Sequence, residues 1–349
     1  MLFKMYYNWK QNIDTVELQN VSNLIKNGDI IVFPTETVYG IGANALDTEA
    51  VRKIFLAKGR PSDNPLIVHV ADKKDIEQIA VIQTAVEQKL IDVFMPGPIT
   101  IILKKKPIIP NIVSAGLDTV GIRMPSNEIA QKIIKTSQVP IAAPSANISG
   151  RPSGTKISDI REELEERVSV IVDGGDSNIG LESTVLKLID DVPVILRPGK
   201  VTPEQIENVI GKVRIDSKVF EKLLGDEKPE SPGMKYRHYA PKTKCKLIYS
   251  KDENKQIEMI NKLINGNNKI VVLCFEEHKD KFKVNENNII SIGYKNKIET
   301  IAKNIYSALR MADTKDADLI LIEGVEKSGI GIAIMNRLLR TCEYDFVEG

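Results

Sequence analysis

The chain has 349 residues, 42% of them hydrophobic, so it is long enough to form two domains with cores of their own. Its 48 Lys and Arg residues nearly balance its 47 Asp and Glu residues, which leaves a formal net charge of +1. This balance argues against a protein that works on the nucleic-acid backbone or on an anionic membrane, although it leaves room for a local basic site.

The cysteines and the apolar runs predict the compartment. Cys245, Cys274 and Cys342 are far apart and form no CxxC pair, which is typical of a reducing compartment and gives no zinc signature. No apolar run approaches the length of a membrane span, and the N-terminus lacks the apolar core of a signal peptide. The sequence therefore predicts a soluble, cytoplasmic protein without membrane contact.

Strand and helix patterns alternate over the first 211 residues. Helical spacing over 16–27 precedes a buried strand at 30–33, which ends at Pro34 because proline cannot donate to a ladder. A polar turn, PTETVYG, follows it. The other predicted helices lie at 47–59, 73–93, 126–137 and 202–211, and the other predicted strands lie at 66–70, 99–103, 120–124, 140–143, 168–172, 184–188 and 194–196.

Composition divides the chain after the first 211 residues. Residues 225–242 are rich in proline, glycine and charge and read as a linker. Beyond it, predicted strands at 246–249, 270–275, 289–292 and 318–322 alternate with predicted helices at 253–264, 297–312 and 330–340. This alternation predicts a small three-layer α/β domain with a mostly parallel sheet. The predicted divisions are a domain at 1–211, a linker at 212–242 and a domain at 243–349.

The sequence argues against two common nucleotide-binding motifs. GIGANA at 40–45 matches the permissive fingerprint GxGxxA, and Asp63 lies about where a ribose-binding acid would be. The fingerprint should follow its strand directly, whereas PTETVY intervenes, so a glycine-rich turn is favoured. The chain has no GxxxxGK[ST] motif, which excludes an ordinary P-loop ATPase.

Basic residues at strand and helix ends point to an anionic ligand. Lys58 and Arg60 suit the C-terminal end of a helix, which is the simpler interpretation, but they also form a candidate phosphate clamp. His69 and Arg123 interrupt apolar strands, and Arg197 lies at a strand end. A buried strand arginine needs an anion, supplied either by a protein carboxylate or by a ligand carboxylate.

Loops of small and hydroxyl-bearing residues accompany these cations. Ser145, Asn147, Ser149 and Ser153 lie in a run broken by prolines, and Glu182-Ser183-Thr184 precedes a strand. Such loops let backbone N–H groups approach phosphates. No Ser/His/Asp triad or metal-ligand cluster is readable, so catalysis would depend on positioning and electrostatics.

Seven motifs in order carry a family resemblance. They are PTETVYGIGANA, KGRPSDNPLIVHV, MPGPIT, AGLDTVGIRMP, PIAAPSANISGRPS, GLESTV and LRPG. Over about residues 15–210 the chain closely resembles the threonylcarbamoyl-AMP synthase family, and the segment PGMKYRHYAP followed by an α/β domain looks like its long, two-domain form. The resemblance implies a YrdC-like, twisted mixed sheet with helices around a concave site, plus a smaller Rossmann-like C-terminal domain with a parallel sheet.

The resemblance also implies a reaction and a set of site residues. L-Threonine, bicarbonate and ATP would give threonylcarbamoyl-adenylate and pyrophosphate, for modification of the adenosine beside the tRNA anticodon. Mg²⁺ would enter with ATP, with no protein-ligated metal. The residues expected to hold threonine are Thr37, His69, Arg123 and Ser183. The residues expected to hold ATP are Lys58, Arg60, Asn64, Thr119, Ser145, Asn147, Ser153, Arg197 and Tyr236, with Lys58 and Arg60 also expected to be catalytic.

Several alternatives stay open at this point. One rival is a non-catalytic RNA-binding module, and another is an enzyme that passes carbamoyl-adenylate to a different acceptor. The charge balance and the intact Lys58, Arg60, Ser145 and Asn147 set argue against the first, and the absence of the extra fused domains argues against the second. Expected partners include a downstream tRNA threonylcarbamoyl transferase, with room for weak tRNA contact. Tyr236 and Tyr239 of the linker serve either a lid over the site or a contact that joins the domains.

Overall fold

The computed structural model describes residues 5–221, 239–265 and 269–349. The chain divides into two compact units. Of the described residues, the first unit takes those up to residue 221 except two short segments, Gly150–Pro152 and Ile179–Leu181. The second unit takes these two segments together with the described residues from Tyr239 onward. Each unit has a sheet of its own.

The first unit is built on a mixed sheet. Its strands are β1 (Met5–Asn8), β2 (Ile31–Phe33), β3 (Gly40–Asn44), β4 (Ile67–His69), β5 (Ala80–Val81), β6 (Ile99–Lys105), β7 (Thr119–Arg123), β8 (Ile141–Ala142), β9 (Val170–Asp173), β10 (Thr184–Ile189), β11 (Val192–Arg197) and β12 (Arg214–Ile215). Their order is β1-β9-β2-β3-β8-β4-β7-β6-β10-β11-β12, with β5 paired to β6. Because β4 and β7 are parallel whereas β6 and β7 are antiparallel, the predicted mixed sheet is confirmed.

Several helices of the first unit begin and end where their capping residues predict. They are α1 (Thr15–Lys26), α2 (Thr48–Lys58), α3 (Lys73–Ile79), α4 (Ala85–Phe94), α5 (Asn111–Ser114), α6 (Glu128–Ser137), α7 (Ile157–Leu164) and α8 (Pro203–Ile210). The Asp47 side chain accepts two N–H bonds at the start of α2, and Gly59 ends it at φ 60°. Thr202 and Gln205 form a capping box with Pro203 at the first helical position.

Besides β3 and β5, four elements of the first unit were not predicted: β1, which pairs in parallel with β9, and α5, α7 and β12. α5 is a single turn, and α7 follows the proline-rich loop with no side-chain cap at Lys156, so neither has a local start signal. β12, with a 3₁₀ turn at Ser217–Val219, lies in the stretch assigned to the linker and pairs in parallel with β11.

The prediction of one helical stretch over residues 73–93 was wrong. The structure has two helices, because Ala80 and Val81 leave the helical path and pair with β6 as β5. Thr84 then starts α4 with a capping box. The Glu87 N–H donates to the Thr84 hydroxyl, and the Thr84 N–H donates to the Glu87 carboxylate. Backbone pairing with a neighbouring strand therefore overrode the local helical period.

The prediction of a glycine-rich turn at GIGANA was also wrong. Residues Gly40–Asn44 form β3, which pairs antiparallel with β2. The glycines make room for the Phe33 ring: a Cβ at Gly42 would lie 2.6 Å from Phe33 Cε1 and 2.8 Å from Ile141 Cγ2, and one at Gly40 would lie 3.3 Å from the ring. Glycine is present here because of close packing across the sheet.

We expect Gly42→Ala to destabilise the first unit by about 1–3 kcal/mol, because the added methyl overpacks the Phe33 contact. Gly40→Ala should cost less, since its closest contact is longer. The single tryptophan, Trp9, is buried in the first unit, so its fluorescence during denaturation reports this unit. Equal stability of Gly42→Ala and the wild type would contradict the packing account.

Different faces of the first sheet pack against different apolar clusters. Most helices cover a large core, while Trp9 lies in a second cluster with α1 and α6 residues. A third, small cluster is buried on one face of the sheet, where every second side chain of β4, β6, β7, β10 and β11 points. Its members are Ile67, Ile102, Val185, Val194 and Leu196. Alternation along each strand places Arg123 and His69 on this same face.

The second unit contains a parallel sheet, as predicted. Its strands are β13 (Lys244–Tyr249), β14 (Ile270–Phe275), β15 (Ile289–Gly293), β16 (Leu319–Glu323) and β17 (Phe346–Glu348), and its helices are α9 (Glu253–Ile264), α10 (Ile298–Asp313) and α11 (Gly331–Thr341). The order is β15-β14-β16-β13-β17, with every neighbouring pair parallel. β17 was not predicted. The predicted apolar face of α10 is buried at Ile301, Ala302, Ile305 and Leu309.

Candidate active site

The PTET turn between β2 and β3 is buried and internally hydrogen-bonded. Thr35 Oγ1 donates to Val38 O at 2.6 Å and lies 2.9 Å from Thr37 Oγ1. Because the Thr35 hydroxyl already donates to Val38 O, the hydrogen bond between the two hydroxyls is donated by Thr37 and accepted by Thr35. The Thr37 hydroxyl, predicted to hold threonine, is therefore held in one orientation in a fully buried position.

Arg123 has a protein carboxylate as its partner. Its Nη2 lies 2.7 Å from Glu36 Oε1, with the two side chains only 6% and 9% exposed. Of the two anions that the sequence left open, the structure shows the carboxylate of the PTET turn. The pair is incomplete, because Arg123 Nε and Glu36 Oε2 are buried and find no hydrogen-bond partner among the described residues. One donor and one acceptor therefore remain for a ligand.

His69 lies beside Arg123, since the two residues are register partners in β4 and β7. Burial, followed by the charge of Arg123, lowers the pKa of His69 to about 3, so its ring is neutral at neutral pH. The ring packs edge-on to Phe33, and its Nδ1 is buried with no hydrogen-bond partner in the described parts of the chain. An unpartnered ring nitrogen favours a ligand-binding role over that of a satisfied core histidine.

Lys58 organises the small-residue loop after β8. Its Nζ donates to Ser145 O and Asn147 O, both at 2.6 Å, and Ser145 Oγ donates to Asn147 Oδ1 at 2.5 Å. Burial, and then the neighbouring charge of Arg60, lowers the pKa of Lys58 well below its usual value. The structure thus brings three predicted ATP-binding residues into direct contact.

Asn64 is the most exceptional polar residue of the site. Its side chain is fully buried, yet Oδ1 and Nδ2 both lack a hydrogen-bond partner within the described residues. Arg60, four residues earlier, donates from Nη2 to Pro65 O at 3.2 Å. A buried amide that leaves both of its polar atoms unsatisfied indicates a position kept for a ligand.

The resemblance implies that Asn64 holds ATP, so we expect Asn64→Ala to raise the ATP requirement at least tenfold while leaving the free energy of unfolding of the first unit within about 0.5 kcal/mol of wild type. Stability should be kept because, within the described residues, the Asn64 side chain has no hydrogen bond to lose. A structural asparagine would give the opposite pattern, a lower stability with an unchanged ATP requirement. The ATP dependence of pyrophosphate release and Trp9 fluorescence provide the two measurements. A destabilised variant with an unchanged ATP requirement would contradict the assignment.

Ser183 and Arg197 contact each other although they were assigned to different substrates. Arg197 donates from Nε and Nη2 to Ser183 O at 3.1 and 3.0 Å, and from Nη2 to Ser183 Oγ at 3.0 Å. Ser183 Oγ lies 2.8 Å from Thr100 Oγ1. Ser153, predicted to bind ATP, donates to Glu182 Oε1 at 2.5 Å. These contacts hold both hydroxyls in fixed positions.

Thr119 lies farther from the rest of the set. It begins β7 and is four residues from Arg123, so their Cα atoms are about 13 Å apart along the strand. Both lie on the same face of the sheet. Thr119 lines a cavity of about 430 Å³ together with Lys104 and Lys187. The structure therefore places Thr119 at one end of the face that carries Arg123 at the other.

Of the two tyrosines singled out in the predicted linker, the structure describes Tyr239 but not Tyr236. Tyr236, predicted to close on the nucleotide, lies outside the described residues, as does most of the predicted lid. Tyr239 is buried in the second unit, where its ring stacks on Tyr306 at 5.4 Å and lies 5.4 Å from the Arg337 guanidinium. Thr341 Oγ1 donates to Tyr239 O. The lid stays a prediction.

Sequence reasoning missed three residues of the site: Glu36, Thr100 and Glu182. Glu36 stands between two threonines directly after a buried strand, which is an unusual place for a carboxylate and was the available signal. Glu182 precedes the predicted Ser183, and its buried carboxylate holds Ser153. Thr100 gave no signal, because a threonine is ordinary in a strand.

Two family models match the chain. The model described as "Telomere recombination" matches residues 23–199, and the model described as "Threonylcarbamoyl-AMP synthase, C-terminal domain" matches residues 201–342. Together they span both units. No helix in the described parts of the chain has the length and apolar character needed to cross a membrane.

Full-length relatives are similar to this chain along both units. A threonylcarbamoyl-AMP synthase of Pyrococcus abyssi is 42% identical and covers 98% of each chain, and one of Bacillus subtilis is 44% identical over 93% of this chain and 92% of its own length. A crystal structure of P. abyssi Sua5 complexed with L-threonine superposes with a TM-score of 0.91 at 40% identity, covering 99% of both chains.

Proposed function

Because the chain belongs to the threonylcarbamoyl-AMP synthase family, we propose that it joins L-threonine, bicarbonate and ATP into threonylcarbamoyl-adenylate, with release of pyrophosphate. The observation that carries this proposal is a group of buried polar atoms in the first unit, on Glu36, Asn64, His69 and Arg123, that have no hydrogen-bond partner among the described residues. Buried groups of this kind are rare unless a ligand satisfies them. Their charges and donors match an amino acid and a nucleotide.

The threonine subsite uses the residues around the PTET turn. Arg123 Nε donates to the threonine carboxylate, and Glu36 Oε2 accepts from the threonine ammonium. The pair therefore offers both signs of charge to a zwitterion, while the Glu36–Arg123 contact holds the two groups in place. The neutral His69 ring and the Thr37 hydroxyl add hydrogen bonds without charge.

The nucleotide subsite uses the loop after β8 and the end of α2. Lys58 holds the loop in shape, Arg60 supplies a planar cation for the phosphates, and Asn64 supplies an amide with both donors and its acceptor available. Ser145, Asn147, Ser153 and Arg197 complete the set. The apolar cluster of Ile67, Ile102, Val185, Val194 and Leu196 offers a surface for the base on the same face of the sheet.

Chemistry at this site needs two steps, each of which forms one bond and breaks another. The threonine amine attacks bicarbonate to give a carbamate and water, and a carbamate oxygen then attacks the α-phosphorus as pyrophosphate leaves. Glu36 Oε2 takes the proton that the ammonium must lose before its nitrogen can attack. The cations stabilise the charge that builds on the phosphates in the second step, so catalysis depends mainly on positioning and electrostatics.

We propose Mg²⁺ as the metal that accompanies ATP. Within the described residues no group of three or more His, Cys, Asp and Glu side chains could hold a metal ion, so the phosphate oxygens would be its main ligands. Bound there, Mg²⁺ would neutralise charge on the phosphates.

We also propose the setting of the reaction. The adenylate is a mixed anhydride that water hydrolyses, so a downstream tRNA threonylcarbamoyl transferase has to receive it as its substrate. This chain would contact the tRNA either directly and weakly or only through that transferase. We propose the cytoplasm as the compartment, because the substrates of the proposed reaction occur there and the three buried cysteines are free thiols, as is typical of a reducing compartment.

Pyrophosphate release from the full chain tests the proposed function. The chain is incubated with ATP, bicarbonate and Mg²⁺, with threonine, serine or no amino acid. We expect release that depends on threonine. Release that is independent of threonine would instead favour an enzyme for another acceptor, and RNA binding without any pyrophosphate release would favour a non-catalytic module.

A further inference from the structure

The second unit has a crevice where open α/β sheets usually bind ligands. From β13 the chain crosses over to β14, towards one edge of the sheet. From β16 it crosses over to β17, towards the other edge, although β13 and β16 are neighbours. Right-handed connections then place α9 and α11 on opposite faces of the sheet. The loops after β13 and β16 therefore diverge at the carboxyl ends of the strands, which is the usual position of a binding site in such sheets.

A cavity of about 230 Å³ occupies this crevice. Its walls include Tyr249 at the end of β13, Phe275 at the end of β14, and Val325 just beyond β16. Gly324 keeps the crevice narrow at its base, because a Cβ there would lie 2.8 Å from Tyr249 Cβ. Pockets for drug-sized ligands measure about 300–1,000 Å³, so this cavity suits a smaller molecule.

A buried ionic network supports the floor of the cavity, which His278 and Glu253 line. Glu323 is fully buried, with Oε1 2.8 Å from His278 Nδ1 and Oε2 accepting the Phe275 N–H at 2.8 Å. His278 Nε2 lies 2.7 Å from Glu253 Oε1. The hydrogen bond to Glu323 is the main cause that raises the pKa of His278. The polar groups of the floor are hydrogen-bonded to one another, so the floor is rigid and does not need a ligand as a partner.

Two opposite charges at the rim remain available. Lys251 and Glu326 line the cavity and are exposed, and neither side chain forms a hydrogen bond or ion pair with the described residues. Lys295, also on the rim, is already engaged by Glu253. Carboxylates at the rim oppose a polyphosphate, which argues against a second nucleotide site.

We propose that this crevice binds a free L-amino acid. Lys251 pairs with the α-carboxylate and Glu326 with the α-ammonium, while Tyr249, Phe275 and Val325 contact the side chain. A zwitterion meets one free charge of each sign, and its size fits the cavity. The site is separate from the threonine subsite of the first unit, so it does not depend on the proposed reaction.

Calorimetry on the full chain tests this inference. Threonine is first titrated alone, where a second equivalent per chain would report binding outside the first unit. The first unit is then kept occupied with saturating threonine and a non-hydrolysable ATP analogue, and each other proteinogenic amino acid is titrated. We expect at least one to bind with one-to-one stoichiometry. Its N-acetyl and its amide derivatives, which each lack one charge, should bind at least about tenfold more weakly.

Variants assign the binding to the crevice. Lys251→Ala and Glu326→Gln should each weaken binding at least about tenfold, whereas Lys279→Ala, an exposed lysine of the same unit outside the cavity, should not. Failure of every amino acid to bind, or equal binding by the derivatives or by the two rim variants, would overturn the proposal. Pyrophosphate release is measured separately, so its failure would concern the reaction alone.

Discussion

Arg123→Ala is expected to abolish threonine-dependent pyrophosphate release and to destabilise the first unit by about 3–5 kcal/mol. The reason for the second effect is that Glu36 would be left buried and unpaired, and removal of one partner from a buried ion pair has this cost. Trp9 fluorescence during denaturation measures the loss of stability. Loss of activity alone would not identify the role of Arg123, because an unstable site is also an inactive one.

Two further variants separate binding from stability. Arg123→Lys keeps the charge but loses the planar fork, so we expect a raised threonine requirement, a nearly unchanged ATP requirement and most of the stability. Glu36→Gln in the Arg123→Ala background removes the stranded charge and should recover stability without recovering activity. If calorimetry shows threonine binding unaffected in Arg123→Lys, the arginine serves only the ion pair with Glu36.

Local signals in the sequence were enough for most of the fold. Asp47 and Gly59 bound α2, Thr202 and Gln205 start α8, and the apolar period of α10 is buried as expected. The failures have two causes: α5 and α7 have no side-chain cap to announce them, and β3 and β5 depend on contacts with a neighbouring strand. Glycines at 40 and 42 predicted a turn because the Phe33 ring that requires them lies on the neighbouring strand. Likewise, β5 exists because β6 pairs with it.

The candidate site was predictable as residue types but not as contacts. Motifs identified Lys58, Arg123 and Ser183, and the structure shows what each one contacts. The sequence could not place Glu36 on Arg123, because that contact joins positions 87 residues apart. It also could not show that Lys58 bonds the carbonyls of Ser145 and Asn147, since backbone acceptors leave no signal in side-chain pattern.

Lys58 and Arg60 are expected to differ when replaced, although they are only two residues apart. Arg60→Ala should lower turnover by about a hundred- to a thousandfold, which is about 3–4 kcal/mol of transition-state stabilisation, because a cation facing the phosphates is lost. Its stability should change little. Lys58→Ala should lower turnover at least as far and also destabilise the first unit, since the carbonyls of Ser145 and Asn147 lose their buried donor.

The measurement pairs turnover with denaturation for both variants, and Arg52→Ala serves as the matched control. Arg52 lies on α2 with Lys58 and is exposed, and among the described residues its side chain pairs with Glu49 alone, one turn away. Its loss should therefore change neither quantity. Near wild-type pyrophosphate release from Arg60→Ala would reject its assignment to the phosphates. Undiminished stability of Lys58→Ala would show that the loop after β8 keeps its shape without the lysine, which would leave Lys58 with a role at the phosphates alone.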